Sequence, residues 1–310
     1  MPFLENVTRG RNIPRERLEE VAENYYSLGG RSPINDHCRE LIAALERDFA
    51  AHSLHLPIYW GNRNWHPFLD DTMRRMTADG IRRALVFVTS AYSSYSGCRQ
   101  YREDIDRARA AAGPAAPECE KLRHFFELPG FREPMAENLR AAFAQLPEDR
   151  RAAARLLFTA HSIPTAMART CRYEEQLRDT AAFVANAAGR DAWDLVWQSR
   201  SGPPTQPWLE PDISDALTSV AAEGARDVVV QPIGFISDHM EVIVDLDVQA
   251  RRHAESLGLN LVRAATPGAH PKFVSMIREM VEERLNDIWT GVRCLGDTCC
   301  PSPQMLRASA

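Results

Sequence analysis

The chain has 310 residues, 45% of them hydrophobic and 25% charged, with a formal net charge of −5. That apolar share is enough for a real core, and mild acidity without a Lys/Arg run argues against nucleic-acid partners. No stretch approaches the ~20 apolar residues of a membrane span, and Met1-Pro2-Phe3-Leu4-Glu5 lacks the basic and apolar regions of a signal peptide.

The chain opens in a helix-like stretch, residues 2–7. Leu18, Val21, Tyr25 and Leu28 recur at helical spacing and predict a helix over 15–28, ended by Gly29-Gly30. A second helix is expected over 34–49, with Cys38, Leu41, Ile42, Leu45 and Phe49 on one face. A short apolar run at 56–60 reads as a strand, 67–77 as a helix, 84–89 as a strand and 100–111 as a helix broken by Gly113-Pro114. Then come a helix at 133–146, a strand at 156–160, a helix at 173–188 and an extended run at 195–198. A helix at 213–223, a strand at 228–231, a long helix at 240–257, a strand at 259–262 and a last helix at 273–288 complete the pattern.

Strands alternating with helices imply α/β architecture, with mostly parallel sheets flanked by helices on both faces. There are enough βα units for two sheets, with a boundary near residues 129–133. A doubly wound domain begins with a buried strand, and none precedes residue 2. Either the fold starts with a helix or its first strand is missing. The tail, 293–310, carries Pro and Cys without periodicity. Cytoplasm is the default compartment, where seven cysteines are thiols or metal ligands rather than disulfides.

In an open α/β sheet, ligand sites lie beyond the carboxyl ends of the strands. Two polar segments follow β-like runs. One is Thr159-Ala160-His161-Ser162-Ile163-Pro164, and the other runs from Gln231 to Glu241. They bring His161 and the group Asp238, His239 and Glu241 to one rim. A histidine facing a glutamate across a cleft binds a cation, moves protons, or does both. His161 after a strand is alternatively a structural histidine, and no Gly-x-Ser-x-Gly elbow argues for a hydrolase. Asp238, Glu241 and Asp245 fall at spacings of three and four and are expected on one helix face. The plain alternative is a solvated acidic stripe, with Asp238 serving the helix dipole.

The loop from Ser90 to Arg102 is rich in hydroxyls and ends in Arg99, Tyr101 and Arg102, suiting a flat ligand that bears carboxylates. A Ser-rich helix cap is the alternative. Ser32 after Gly29-Gly30-Arg31 has the same two readings, and Arg200 follows a strand with Trp208 nearby. In the tail, Cys294, Cys299 and Cys300 plus one internal thiol would make a four-thiolate site. Cys98, Cys119 and Cys171 are the internal candidates.

Taken in order, these segments resemble the ferrochelatase family, in particular coproporphyrin ferrochelatases of the actinobacterial type. The matching stretches are Phe3-Leu4-Glu5-Asn6-Val7-Thr8-Arg9-Gly10-Arg11, Gly29-Gly30-Arg31-Ser32-Pro33-Ile34-Asn35, Gly61-Asn62-Arg63-Asn64-Trp65, 89–102, 158–164, 197–204 and 232–247. The resemblance implies two Rossmann-like domains around a porphyrin cleft, 1–130 and 131–270. It also implies a C-terminal helix, 271–292, packed back on the first domain. It implies insertion of Fe²⁺, as substrate, into coproporphyrin III to give coproheme in haem biosynthesis. By match, His161 and Glu241 are the facing pair that handle the metal and its protons, with Asp245 on the acidic row behind Glu241. Ser32 and Tyr101 match porphyrin-contacting positions, and Arg99 and Arg200 would hold propionates. The family normally begins with a strand and glycine turn ahead of residue 2. Some members carry a [2Fe–2S] cluster on three C-terminal cysteines and an internal one, which Cys294, Cys299 and Cys300 resemble. Cys98 lies where some relatives place the internal ligand. A monomer that meets the next haem-pathway enzyme is expected. The competing readings are protoporphyrin IX as substrate, a cobalt or nickel tetrapyrrole chelatase, and a non-catalytic porphyrin carrier.

Overall fold

Two parallel sheets organise the computed structural model, which describes residues 2–8, 14–27, 29–202, 205–286 and 300. Strands β1 (Arg83–Val86) and β2 (Glu118–Lys121) form the smaller one. Strands β3 (Arg155–His161), β4 (Asp194–Gln198), β5 (Asp227–Gln231) and β6 (Asn260–Arg263) form the larger, in the order β4-β3-β5-β6. Helices α1 (Pro2–Val7), α2 (Arg15–Ser27), α3 (Ile34–Ala51) and α4 (Leu69–Ala78) precede the small sheet, and α5 (Gln100–Ala112) connects its strands. Helices α6 (Pro129–Ala144), α7 (Thr165–Ala168), α8 (Tyr173–Ala187) and α9 (Ile213–Ala222) follow in turn. Then α10 (Met240–Val242), a π-helical run (Ile243–Ala250) and α11 (Arg251–Ser256) form one continuous rod, before α12 (Pro271–Leu285).

Period-two alternation explains the layers of the larger sheet. Leu156, Phe158 and Ala160 of β3 point to one face, where they join Leu139 of α6, Leu177 of α8 and Phe273 of α12. Leu157 points to the other face, with Leu217 of α9 and Val242, Leu246 and Ala254 of the α10–α11 rod. The first of these clusters also takes in Leu45 and Phe49 of α3, together with Tyr92, Phe125 and Phe126. One apolar core therefore runs between residues on either side of position 130. Burying a side chain such as Phe158 or Leu177 contributes about 1.5–3 kcal/mol, whereas an exposed ion pair such as Arg172–Glu175 is screened by water and adds little. Packing, not surface charge, sets the architecture. A smaller cluster, Met73, Ile105 and Ala108, fills the space beside β1 and β2.

Several elements differ from expectation. Residues 56–60 form no strand: Pro57 lacks an N–H, and the Trp60 carbonyl accepts from the Thr72 hydroxyl instead. Strand β2 was invisible in the pattern because Glu118-Cys119-Glu120-Lys121 has no apolar alternation; pairing with β1 makes it a strand. Helix α6 starts at Pro129 rather than Glu133, with a proline at its first turn, where no N–H is needed. Its Gly130 lies against α12: a Cβ there would meet Met276 Cβ at 2.5 Å. The last helix was expected to reach 288; residues 287 and 288 lie outside the described residues. Among the described residues, no helix is long and apolar enough to cross a membrane.

Candidate active site

Strand β3 ends at His161, and the segment after β5 folds back over that end. The Gly234 N–H donates to the Thr159 carbonyl (3.0 Å), and a Cβ at 234 would come within 2.7 Å of Ala160 Cβ. Glycine is therefore what allows this loop to cross beside His161. Beyond it, His239 caps α10, its Nδ1 accepting the Glu241 N–H (3.2 Å). The helix wall then passes into π-helical turns that carry Asp245. Such wide turns recur at functional sites.

The two histidines present opposite tautomers. His161 Nδ1 lies 2.5 Å from the Ser162 carbonyl, which can only accept, so Nδ1 is the donor; in the neutral ring Nε2 then carries the lone pair. Tyr173 steadies this end of the strand by donating its hydroxyl to the His161 carbonyl (3.1 Å). His239 accepts at Nδ1, which leaves its proton on Nε2. Burial holds the His239 imidazole below its ordinary pKa and so neutral, opposed by the charge of Glu241 and reinforced by His161.

Asp245 sits behind Glu241. Burial raises its carboxyl above the ordinary range, and the negative charge of Glu241 raises it further. Hydrogen bonds from the Ser199 hydroxyl and from Gln198 Nε2 (3.2 Å) oppose that rise. Ser199 holds a left-handed backbone (φ 61°), unusual outside glycine, while giving its hydroxyl to Asp245. From α2, the Tyr25 phenol is pushed up to about 12 by burial and by the charge of Glu241. His161, Glu241, Asp245, His239 and Tyr25 therefore share one electrostatic neighbourhood.

The expected row Asp238–Glu241–Asp245 does not hold. Asp238 lies before the helix, and Arg263 takes it together with Asp247 (3.0 and 2.7 Å). Glu241 and Asp245 remain as the coupled pair.

The other candidates take distinct places. The Ser32 hydroxyl accepts from the Met240 N–H (3.3 Å), beside Glu241. Tyr101 lies under Arg63, whose guanidinium carbon is 4.0 Å from the ring centroid, and Arg63 is held by Asp104 (2.5 Å). Arg99 pairs with Glu103 (3.1 Å), and Arg200 donates to the Gln206 carbonyl (3.3 Å). Cys98, buried in the π-helical turn Tyr95–Arg99, lines a cavity of about 480 Å³ with Cys119, while Cys171 does not. The same cavity is lined by His124, which is buried and whose two ring nitrogens have no partner among the described residues. Cys300 is buried, and Cys294 and Cys299 lie outside the described residues. Among the described residues, no group of three or more His, Cys, Asp or Glu side chains is arranged to hold a metal ion.

Sequence spacing placed Tyr25 only on the apolar face of a helix, and His37 and Arg263 were not singled out at all. His37 Nδ1 lies 2.7 Å from the Ser237 hydroxyl, 200 positions away. Only the tertiary approach of α3 to this loop reveals that contact.

The sequence profile of the Ferrochelatase family matches residues 1–285. The coproporphyrin III ferrochelatase of Mycolicibacterium vanbaalenii is 54% identical over 286 residues, spanning 91% of this chain and 84% of that protein. A ferrochelatase of Rhodopirellula baltica is 51% identical over 316 residues, spanning 98% and 90%. The sirohydrochlorin chelatase SirB of Bacillus subtilis, solved with cobalt, superposes with a TM-score of 0.53 at 14% identity, over 81% of this chain and 90% of that one. That last likeness is one of fold.

Proposed function

The chain belongs to the ferrochelatase family, and on that premise we propose that it inserts Fe²⁺ into coproporphyrin III, with His161 and Glu241 facing each other across the macrocycle. The product is iron coproporphyrin, an intermediate of haem biosynthesis. In the reaction two pyrrole N–H bonds break, four Fe–N bonds form and two protons leave. No electron changes hands, so no nicotinamide or flavin is needed.

What supports this reading is the electrostatic neighbourhood that His161, Glu241 and the protonatable Asp245 share. His161 offers Nε2 as proton acceptor or ligand. Glu241 offers negative charge to a cation shedding its water. Asp245, raised in pKa, can take up a proton and pass it outward. Ser32 closes the cleft at Met240, and Tyr101, Arg99 and Arg200 supply stacking surface and cations for propionates. Binding energy at that rim can strain a flat macrocycle toward the incoming metal.

Anaerobic assay of Fe²⁺ insertion into coproporphyrin III and protoporphyrin IX tests the assignment. Faster turnover of coproporphyrin III is expected. Turnover of neither porphyrin would sink the reading.

We assign the protein to the cytoplasm as a monomer that passes its product to the next haem-pathway enzyme, with a first lobe at 1–130, a second at 131–270 and α12 returning to the first. Packing of α12 against α3 supports that return. We further propose a [2Fe–2S] cluster on Cys294, Cys299, Cys300 and an internal thiolate, for which Cys98 and Cys119 are the candidates that line one cavity. Bound there, it would supply a redox-sensitive staple between the tail and the first lobe. Visible absorbance with labile sulfide in anaerobically purified protein, lost on Cys98→Ser or Cys119→Ser, identifies it; colourless protein refutes it.

A further inference from the structure

Two aspartates bracket the metal-facing carboxylates, and one guanidinium holds both. Arg263, the last residue of β6, donates from Nε to Asp247 Oδ1 (2.7 Å) and from Nη2 to Asp247 Oδ2 (2.9 Å). Its Nη1 donates to Asp238 Oδ1 (3.0 Å) and to the Ala264 carbonyl (3.2 Å), and Nη2 reaches Asp238 Oδ2 (3.4 Å). Those five contacts match the five N–H donors of a guanidinium. The side chain is only 14% exposed, so the fork works away from bulk water, where charge-assisted bonds are strongest.

The placement matters more than the strength. Asp238 stands three residues before Glu241, and Asp247 two residues after Asp245. Between them the chain turns from a loop into a short α-helical turn and then π-helical winding, a rare geometry. A clamp at both ends adds a side-chain tie to the backbone bonds of that winding, across the stretch that carries Glu241 and Asp245. Arg251, 3.8 Å from Asp247, adds a second cation on the outer side, while Gln198 and Ser199 hold Asp245 from β4 and its loop.

We propose that Arg263 is a positioning residue for cation handling, stapling the loop before Glu241 to the π-helical turn after Asp245 and so fixing how the two carboxylates face an incoming metal. This rests on the reading of Glu241 and Asp245 as the cation-handling pair. Lysine cannot replace it, because a single ammonium cannot span both carboxylates in fork geometry. Arg99 and Tyr101, the residues read as facing the porphyrin, lie on other elements, the turn Tyr95–Arg99 and α5, so loss of the fork should reach the metal and spare the macrocycle.

The test is a metal-alone titration. Co²⁺ binding to the whole protein is followed by visible absorbance, and coproporphyrin III binding by fluorescence quenching. Arg263→Lys should weaken Co²⁺ binding about tenfold and alter its absorbance bands, with coproporphyrin affinity within twofold of the parent. Asp247→Asn, which opens the fork while leaving Asp238 on the guanidinium, should give the same split at smaller size and serves if Arg263→Lys does not fold. Parental Co²⁺ affinity and bands in the folded variant would overturn the clamp, as would equal loss of both ligands. If Co²⁺ binding to the parent is indifferent to Glu241→Gln, the cation-handling reading fails, and the clamp with it.

Discussion

The Ser32 hydroxyl and the Met240 amide, 208 positions apart, meet at 3.3 Å, one residue short of Glu241. The contact ties the start of α3 to the start of α10. His37 on α3 makes a parallel tie to Ser237 (2.7 Å). Together they set the distance between the two walls that the candidate site needs.

Removing one tie tests whether the walls are held this way. Ser32→Ala deletes a hydrogen bond worth about 0.5–1.5 kcal/mol, and His37→Ala another of similar size. Each is expected to lower Tm by a few degrees, at about 2–4 °C per kcal/mol, and to raise the coproporphyrin KM while changing kcat less. Unchanged KM in the double variant would show that the walls are fixed by the core alone.

The facing pair should separate into two roles. His161→Ala removes the lone-pair nitrogen left by the Nδ1–H bond to Ser162. A positioned acid–base group typically contributes about 10²–10⁴-fold, so kcat should fall by at least ~10² with porphyrin binding retained. Glu241→Gln keeps the shape but loses the charge, and should raise the Fe²⁺ KM. Steady-state kinetics at varied Fe²⁺ and varied porphyrin distinguish the two. Retained turnover in His161→Ala would reject its assigned role.

Much of this site was legible before the fold. The β-like runs at 156–160 and 228–231 announced strands, because buried parallel strands read as continuous apolar segments. The loops after them then had to share one rim, which placed His161 and Glu241 in the same region. Asp238 misled, because helical spacing was counted from a residue that lies before the helix. A guanidinium on β6 claims it, and that partner is 25 positions away. Tyr25 and His37 were hidden for the same reason: their significance lies in contacts made across the fold. Strand β2 was hidden because an edge strand with charged residues carries no alternation to read. Cys98 and Cys119 were both named as thiols, but only the fold puts them in one cavity.

The pH dependence of stability follows from Asp245. Its folded pKa is raised above the unfolded value, chiefly by burial. The folded state therefore holds the proton more tightly. That contribution is fully present below the unfolded carboxylate pKa of ~3.9 and is lost as pH rises through the raised folded value. At neutral pH that contribution is reduced, so the burial of Asp245 costs stability there relative to acid pH. Asp245→Asn removes that cost, so it should raise Tm at pH 7, narrow the Tm difference between pH 5 and pH 7, and slow Fe²⁺ insertion. His239 acts in the opposite sense: its lowered pKa makes stability fall as pH drops below its unfolded value of ~6.5. Thermal melts from pH 4 to 8 on the parent and Asp245→Asn separate the two. A variant no more stable than the parent at pH 7 would mean that Ser199 and Gln198 fully offset the burial.

Gly234 offers a check on the loop itself. Its backbone crosses so close to β3 that a Cβ would sit 2.7 Å from Ala160 Cβ and 2.8 Å from Ala160 Cα. Real side chains do not approach a backbone so closely, and Ala160 is fully buried and cannot give way. Gly234→Ala must therefore push the loop outward, at about 1–3 kcal/mol for an overpacked core position. The displacement falls on the segment that carries His239 and Glu241, next to His161. Activity should thus drop further than lost stability explains, even at temperatures where the variant is fully folded. Ala160→Gly in the same chain relieves the Cβ clash, leaves the backbone contact at 2.8 Å, and should restore part of the rate. Recovery of stability without any recovery of rate would show that the loop's approach to β3 serves packing rather than the placement of Glu241.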